Sequence, residues 1–476
     1  MDRGNTVGHF QSCNLKTKMS ERIVILGGGE SGTGAAILAK AKGFDVFVSD
    51  QGQLKEKYKK DLTEQAIAFE EGQHSEDKIL TANLVIKSPG IPEKADIVKK
   101  IKAKKIAIVD EIEFAFRYLK GKVIAITGTN GKTTTTLLTY HLLKSADKKV
   151  ALAGNVGESL ARKVATEDHD WYVLEISSFQ LDGISTFHPH IGVLLNITPD
   201  HLDRYENKMA NYVNSKFKLV KNMGSKDYFI YYADDRIAGP EAKQRSTEAY
   251  RVEVSMDPEA ISSAHFDGKK MVFQFGKKKF KIDQSDTTLK GVHNLINTMA
   301  AVSAAHLAKV PDTKIREGLK TFKNAPHRLE SVASIQGVEF INDSKATNVD
   351  SVVYALGSYD KPLVWIAGGI DKGNDYNLIK AEVEKKVKTL ICLGKDNEKL
   401  KKFFGKVVPK ILETQSVTEL VQLALQSAEK GDVVLLSPAC ASFDLFKNYE
   451  DRGDQFRAAV LKAKEEVEKV HGKSEK

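Results

Sequence analysis

The chain has 476 residues, 41% of them hydrophobic, with a formal net charge of +9; that length suits about three domains of roughly 150 residues. No stretch approaches the ~18 unbroken apolar residues of a membrane span, and the lysines are scattered, as at Lys55, Lys57, Lys59 and Lys60, so neither membrane insertion nor a nucleic-acid stripe is expected, although anionic substrates would be drawn in. Cys13, Cys392 and Cys440 are too far apart for a disulfide framework or a zinc site, which points to a reducing cytoplasm.

Residues 1–18 are polar and lack the apolar core of a signal peptide. They are expected to be a disordered leader, or sequence ahead of a start at Met19. Arg22–Leu26 then reads as a short buried strand that breaks into Gly27-Gly28-Gly29-Glu30-Ser31-Gly32. A second strand, Val46–Asp50, ends in an acid. Strand, G-x-G-x-x-G and acid together form a dinucleotide fingerprint with Asp50 poised for a ribose. The glycines admit a diphosphate without saying whose it is, and Glu30 places a negative charge where a nicotinamide dinucleotide would carry its own. Leu84–Gly90 and Ile106–Val109 continue the same βα pattern, and this first domain is expected to end near Glu111.

Val123–Ile126 is apolar and largely β-branched, and it runs into Thr127-Gly128-Thr129-Asn130-Gly131-Lys132-Thr133-Thr134 and a helical pattern to about Leu143. A strand, a glycine turn and a helix N-terminus aim free N–H groups at one point. Lys132 adds a charge for phosphate and Thr133 a hydroxyl for Mg²⁺. The first glycine of the full phosphate-loop template is missing, with Ile126 in its place. Val150–Gly157 and Trp171–Ser178 read as strands, the second interrupted by Glu175. A carboxylate inside an apolar run is costly unless paired or bound to a metal, and beside a phosphate loop its natural partner is Mg²⁺. Ile191–Asn196 opens into Thr198–Tyr205, where His201 suits a metal ligand or a phosphate contact. Asn207–Lys221 is helical and carries Lys216. Asn294 and Asn297 stand one turn apart on an Ala-rich helix, where they read a base or cap the helix.

The last third starts near Asn324. Three strands, Gly337–Asn342, Leu363–Ala367 and Val433–Leu436, end in loops dense with Asp, Lys, Ser and Thr. In an open α/β sheet, ligands lie beyond the strands' carboxyl ends, so these loops are expected to line one site. A helix near Val417–Glu429 is expected to close on Gly431. The predicted fold is α/β in three domains. Residues 1–111 form a Rossmann-like N-terminal domain, 112–323 a central P-loop-type ATPase domain with a mostly parallel sheet, and 324–476 a C-terminal Rossmann-like α/β domain.

Taken together, Gly128–Thr133, Leu174–Leu181, Asp200–Tyr205, Pro326–Arg328, Asn342–Asn348 and Ser437–Tyr449 resemble the Mur ligase superfamily, over nearly the whole chain from about Met19. The last two stretches look like the branch that adds D-glutamate. The resemblance implies an ATP-dependent ligase that joins D-glutamate to the carboxylate of UDP-N-acetylmuramoyl-L-alanine through an acyl phosphate. It would work in peptidoglycan precursor synthesis in the bacterial cytoplasm, as a monomer, with two Mg²⁺ or Mn²⁺ ions.

Carried over by position, the resemblance implies ATP contacts at Gly128, Thr129, Asn130, Gly131, Lys132, Thr133, Thr134, Asn294, Asn297, Arg328 and Asp343. It implies UDP-substrate contacts at Glu30, Ser31, Asp50, Ser88, Asn155 and His201, and D-glutamate contacts at Thr347, Lys372, Ser442 and Tyr449. Metal ligands would be Thr133, Glu175, His201 and Lys216, the last as a carbamate. The catalytic set would be Lys132, Glu175, His201, Lys216, Arg328 and Lys345, with His201 also a candidate base. Two rivals rest on parts of the chain. A nicotinamide oxidoreductase uses Gly27, Gly29, Gly32 and Asp50 but gives the phosphate loop no work, and a nucleotide-driven switch needs no amino-acid pocket.

Overall fold

The computed structural model describes residues 21–289 and 291–474; the expected leader over residues 1–18 and Cys13 lie outside them. Contacts divide the described chain into two compact units. The first runs to Leu119 and takes in Glu158–Glu167 and Gly183–Ser185; the second holds the remainder.

The first unit is built on five parallel strands: β1 (Arg22–Leu26), β2 (Asp45–Asp50), β3 (Ala68–Glu71), β4 (Leu84–Lys87) and β5 (Ala107–Val109). Their order is β3-β2-β1-β4-β5. Val24, Leu26, Phe47 and Val85 pack with Ile97, Val98 and Ile101 of the helix Asp96–Ala103. The order reverses between β1 and β4, and at such a switch point the loops after the two strands splay apart to leave a crevice.

The second unit contains two sheets. The larger has nine strands: β6 (Lys122–Thr127), β7 (Val150–Gly154), β8 (Trp171–Glu175), β9 (Ile191–Leu194), β10 (Tyr228–Tyr232), β11 (Tyr250–Ser255), β12 (Ala264–Phe266), β13 (Lys270–Phe275) and β14 (Lys278–Asp283). Their order is β14-β13-β12-β11-β10-β9-β6-β8-β7, parallel except for the antiparallel β12-β13-β14 edge. Ile124, Ile126, Val173 and Val193 face Leu138 and Leu142 of the helix Lys132–Lys144, and Met299, Ala301 and Ala304 of the helix Val292–Leu307. Small residues on that second helix let it lie close to the sheet. The strands β10 to β14 fall where the sequence reading placed no element.

The smaller sheet has six strands: β15 (Glu330–Ile335), β16 (Val338–Asn342), β17 (Leu363–Ala367), β18 (Val387–Leu393), β19 (Lys410–Thr414) and β20 (Val433–Leu436). Their order is β15-β16-β20-β17-β18-β19, with only β15 antiparallel. Both faces are covered, so β17 is apolar throughout. Leu363, Trp365 and Ala367 enter one core, while Val364 and Ile366 enter the other. The helix expected to close on Gly431 ends instead at Ser427. Gly431, at φ +101°, turns the chain into β20. The α/β class and the mostly parallel central sheet agree with expectation.

Candidate active site

The phosphate loop leaves β6 at its carboxyl end, in the middle of the nine-stranded sheet. Gly128 (φ +152°) and Gly131 (φ +84°) make the turn, and a Cβ on Gly131 would come within 2.4 Å of Asn297 Oδ1. The loop is stapled from β9. Asn196 Oδ1 accepts from the N–H groups of Thr129 (3.1 Å) and Asn130 (2.8 Å), and its Nδ2 donates to Asn130 O (3.0 Å). The sequence reading takes Asn196 only as a strand end. An amide directly after an apolar run, at the carboxyl end of a strand flanking β6, is the signal that could have singled it out.

Three cationic side chains converge on this loop. Lys132 Nζ donates to Gly128 O (2.8 Å) and Thr129 O (2.7 Å). Lys216, on the helix Met209–Phe217, is buried and donates to the same Gly128 carbonyl at 2.8 Å. Arg328 Nη2 donates to the Thr133 hydroxyl at 2.8 Å. Burial lowers the Lys132 ammonium from its ordinary value, Glu175 opposes the fall and Arg328 adds to it. Burial, then the charge of Lys132, hold the Lys216 amine well below its ordinary value.

Glu175 is the last residue of β8, level with Ile126 of β6 and Gly154 of β7. It is buried and its Oε2 has no hydrogen-bond partner. An orphaned carboxylate oxygen at the end of the strand beside β6, together with the Thr133 hydroxyl of the loop that β6 leads into, is a hard-oxygen donor set that fits Mg²⁺. Among the described residues no group of three or more His, Cys, Asp or Glu could hold a metal by itself. Such a set needs phosphate oxygens to complete it, the usual arrangement for nucleotide-bound Mg²⁺. His201 is more than half exposed, left-handed at φ +52°, with Nε2 3.5 Å from Asp200 Oδ2 and its ring 5.2 Å from that of Phe179.

A cleft beside the loop is lined by Asn130, Gly131, Thr134, Asn294, Asn297, Arg328, Asp343 and Lys345, all singled out from the sequence, and also by His293, Asn324, Ser351 and Tyr354, which were not. The two asparagines do not cap their helix. Asn297 Nδ2 donates to Asn294 Oδ1 (3.1 Å), and Asn297 Oδ1 accepts from Thr135 (3.2 Å). Ser351 reaches the loop through Asn130 Oδ1 at 3.1 Å. Burial raises the Asp343 carboxyl to about 7, against donors from Ser437 Oγ (2.9 Å) and Leu329 N (3.2 Å). Burial, then Arg328, bring the Lys345 ammonium down to about 8.

The loops after β16, β17 and β20 meet around Arg452, a buried guanidinium that the sequence reading missed. It donates to Ser344 Oγ (2.9 Å), Ser344 O (2.8 Å), Cys440 O (3.2 Å) and Gly368 O (3.4 Å). Only a planar fork of five donors serves three loops at once. Nothing local in Tyr449–Arg452 signals this, because all four acceptors are remote in sequence. Around this hub, Lys345 lies 4.8 Å from the Tyr449 ring. Ser442 is buried, Thr347 N donates to Lys345 O (3.0 Å), and Lys372 is exposed.

In the first unit, Asp50 Oδ2 accepts from Gly28 N (2.6 Å), and Ser88 Oγ donates to Gly27 O (3.3 Å), so both sit at the switch point with the glycine turn. Ser31 is in the first turn of the helix Glu30–Ala41. The Glu30 side chain is taken up by Arg162 Nε (2.9 Å) and Ser159 N (3.1 Å). Burial opposes its ionisation, but Arg162 and Ser159 outweigh it and lower its carboxyl from the ordinary value. The charge that argued against a dinucleotide is thus internally compensated. Asn155, in the second unit, follows β7, is exposed and donates its N–H to Glu175 O (2.9 Å).

Comparison with known proteins bears on these sites. Residues 22–97 match the MurD N-terminal domain, 126–305 the Mur ligase middle domain, and 327–440 the Mur ligase, glutamate ligase domain. A UDP-N-acetylmuramoylalanine–D-glutamate ligase of Cytophaga hutchinsonii is 53% identical, over 93% of this chain and 99% of that protein. The ligase of the same name from Christiangramia forsetii is 50% identical, over 93% and 99%. Among solved structures, a pseudomurein peptide ligase type C from Methanothermus fervidus superposes with a TM-score of 0.62 at 21% identity, over 94% of this chain and 100% of that one, a likeness of fold. The chain belongs to the Mur ligase family, in the branch of the UDP-N-acetylmuramoylalanine–D-glutamate ligases.

Proposed function

We propose that this chain joins D-glutamate to the carboxylate of UDP-N-acetylmuramoyl-L-alanine with hydrolysis of ATP to ADP and phosphate, as a step in peptidoglycan precursor synthesis in the bacterial cytoplasm. The observation that carries the reading is a phosphate loop with Arg328 on the Thr133 hydroxyl and the buried, unpartnered Glu175 oxygen nearby. It occurs in a chain half identical to ligases named for this reaction. No described helix is long and apolar enough to cross a membrane.

A carboxylate is a poor electrophile, because its oxygen is a bad leaving group and its charge repels nucleophiles. Attack by that oxygen on the γ-phosphorus of ATP releases ADP and leaves an acyl phosphate. The amine of D-glutamate then attacks the carbonyl carbon, phosphate departs, and the amine loses a proton. Phosphoryl transfer is chiefly positioning and neutralisation of charge. Lys132 exchanges its two loop carbonyls for phosphate oxygens, and Arg328 covers the same phosphates from the third sheet's side. Asn294, Asn297 and Asp343 take the nucleoside end.

Thr133 and Glu175 would hold one Mg²⁺ ion, and His201 with Lys216 a second; when bound, the ions would supply further charge neutralisation at the phosphates. Lys216 would hold an ion only as a carbamate, formed when its amine adds to CO₂ and releases a proton. The burial that favours the neutral amine supports that reaction. The first sheet's glycine turn with Ser31, Asp50 and Ser88 takes the UDP moiety, and Asn155 the acyl arm. Thr347, Lys372, Ser442 and Tyr449 take D-glutamate, and Lys345, beside Tyr449, lies between the reactants.

The test is phosphate release and peptide formation from ATP and UDP-N-acetylmuramoyl-L-alanine with D-glutamate, L-glutamate or D-alanine. Product with D-glutamate alone is expected. Phosphate release indifferent to the amino acid would favour the nucleotide-driven switch. An unmodified Lys216 amine in active, bicarbonate-replete enzyme, read by intact mass, would remove the carbamate.

A further inference from the structure

The loop after β17 carries an acid and a base side by side, Asp371 and Lys372, and they are treated oppositely. Asp371 Oδ1 accepts from Gly373 N (2.7 Å), Asn374 N (2.9 Å) and Lys399 Nζ (2.9 Å), and Oδ2 accepts from the hydroxyl of buried Tyr376 (2.8 Å). Four donors therefore reach this one carboxylate, three on Oδ1 and one on Oδ2. Burial opposes ionisation, but Lys399 and the turn N–H groups outweigh it and lower the Asp371 carboxyl from its ordinary value. Lys372, the next residue, is exposed and has no hydrogen-bond or ion-pair partner among the described residues.

The backbone on either side of Lys372 is also tied down. Ile370 N donates to Ala441 O (2.8 Å), and Ile370 O accepts from Ala441 N (3.1 Å), next to buried Ser442. Asn374 Nδ2 donates to Ala439 O (3.0 Å), and Lys399 Nζ also holds Asn374 O (2.9 Å). Gly373, at φ +88°, provides the reversal between the two anchors. Lys372 therefore stands at the apex of a braced loop with its ammonium unspent.

We propose that Asp371, held by Lys399 and Tyr376, is a positioning residue for the amino-acid site: it fixes the backbone of Lys372 and leaves that ammonium free for the side-chain carboxylate of a dicarboxylic amino acid. The inference rests on the reading of Lys372 as a glutamate contact. Lys399 enters because an Asp371 stripped of its lysine would compete for the ammonium of Lys372, the next residue in the chain, and the pocket would lose its charge.

The experiment compares kcat and the KM values for D-glutamate and ATP in Lys399→Met, Lys399→Arg, Asp371→Ala and Lys372→Ala. Lys399 has a side chain 52% exposed, so its replacement leaves the core intact. Loss of one charge-assisted contact predicts that Lys399→Met raises the D-glutamate KM about tenfold. The ATP KM should stay within about twofold, and Lys399→Arg should restore the wild-type value. Asp371→Ala should do at least as much and should speed hydrogen exchange across residues 370–374. A D-glutamate KM that rises in Lys372→Ala but not in Lys399→Met or Asp371→Ala overturns the positioning role and leaves the function standing. A Lys372→Ala enzyme with unchanged D-glutamate KM overturns both the positioning role and the assignment of Lys372.

Discussion

Arg328 donates to the hydroxyl of Thr133 across 2.8 Å, although 195 positions separate them. One lies in the first turn of the helix that follows the phosphate loop and the other just precedes β15, so the contact ties the start of the third sheet to that loop. The hydroxyl proposed above as a metal ligand is held here by a guanidinium. On the proposed function, that guanidinium turns to the phosphates when nucleotide binds.

Arg328→Ala should therefore lower kcat by about a hundredfold or more, the usual cost of removing one preorganised charge donor. Arg328→Lys should recover only part, because a point charge replaces a fork. Steady-state phosphate release measures both.

Glu175→Gln separates chemistry from stability. A buried, half-unpaired carboxylate is destabilising, so the neutral isostere should fold at least as stably, while activity should fall by about a hundredfold or more as the hard-oxygen ligand is lost. Removing divalent ions from the wild type should abolish activity and leave the melting temperature unchanged, since no described cluster forms a metal cage by itself. A melting temperature that drops with a chelator would contradict this.

Gly131→Ala forces a side chain into the left-handed region and against Asn297 Oδ1, 2.4 Å away. The backbone alone costs about 1–2 kcal/mol. The ATP KM should rise with a small fall in melting temperature, while the D-glutamate KM changes little.

The first unit should lose stability as pH rises from about 4 to 8. Burial raises the Asp110 carboxyl to about 7, against the Ile112 N–H. Burial, then Asp110, raise that of Glu111 to about 8. Both values lie above the ordinary carboxylate range, so the folded unit binds more protons than the unfolded chain. Their contribution is complete below about pH 4 and is lost as pH rises through 7 and 8. Glu111→Gln should flatten that decline, as followed by thermal melts between pH 5 and 9.

The phosphate loop, the glycine turn after β1 and the acid within β8 were all legible in the chain, because each is a local pattern: a glycine at a fixed offset, or a charge inside an apolar run. The same holds for the parallel sheets, whose buried strands are continuous apolar runs. β14, with Lys278, Lys279 and Lys281, escaped because an exposed edge strand carries no such run, and β15 and β19 because edge strands bury less.

What only the tertiary structure decided is which side chains are already spoken for. Glu30 belongs to Arg162, Asp371 to Lys399, and Arg452 to three loop carbonyls, whereas Glu175 keeps an oxygen without a partner and Lys372 keeps its ammonium. Chemical type and spacing are written in the chain. The pairing of charges is settled by contacts between residues tens to hundreds of positions apart, once burial has removed the water that would otherwise satisfy them.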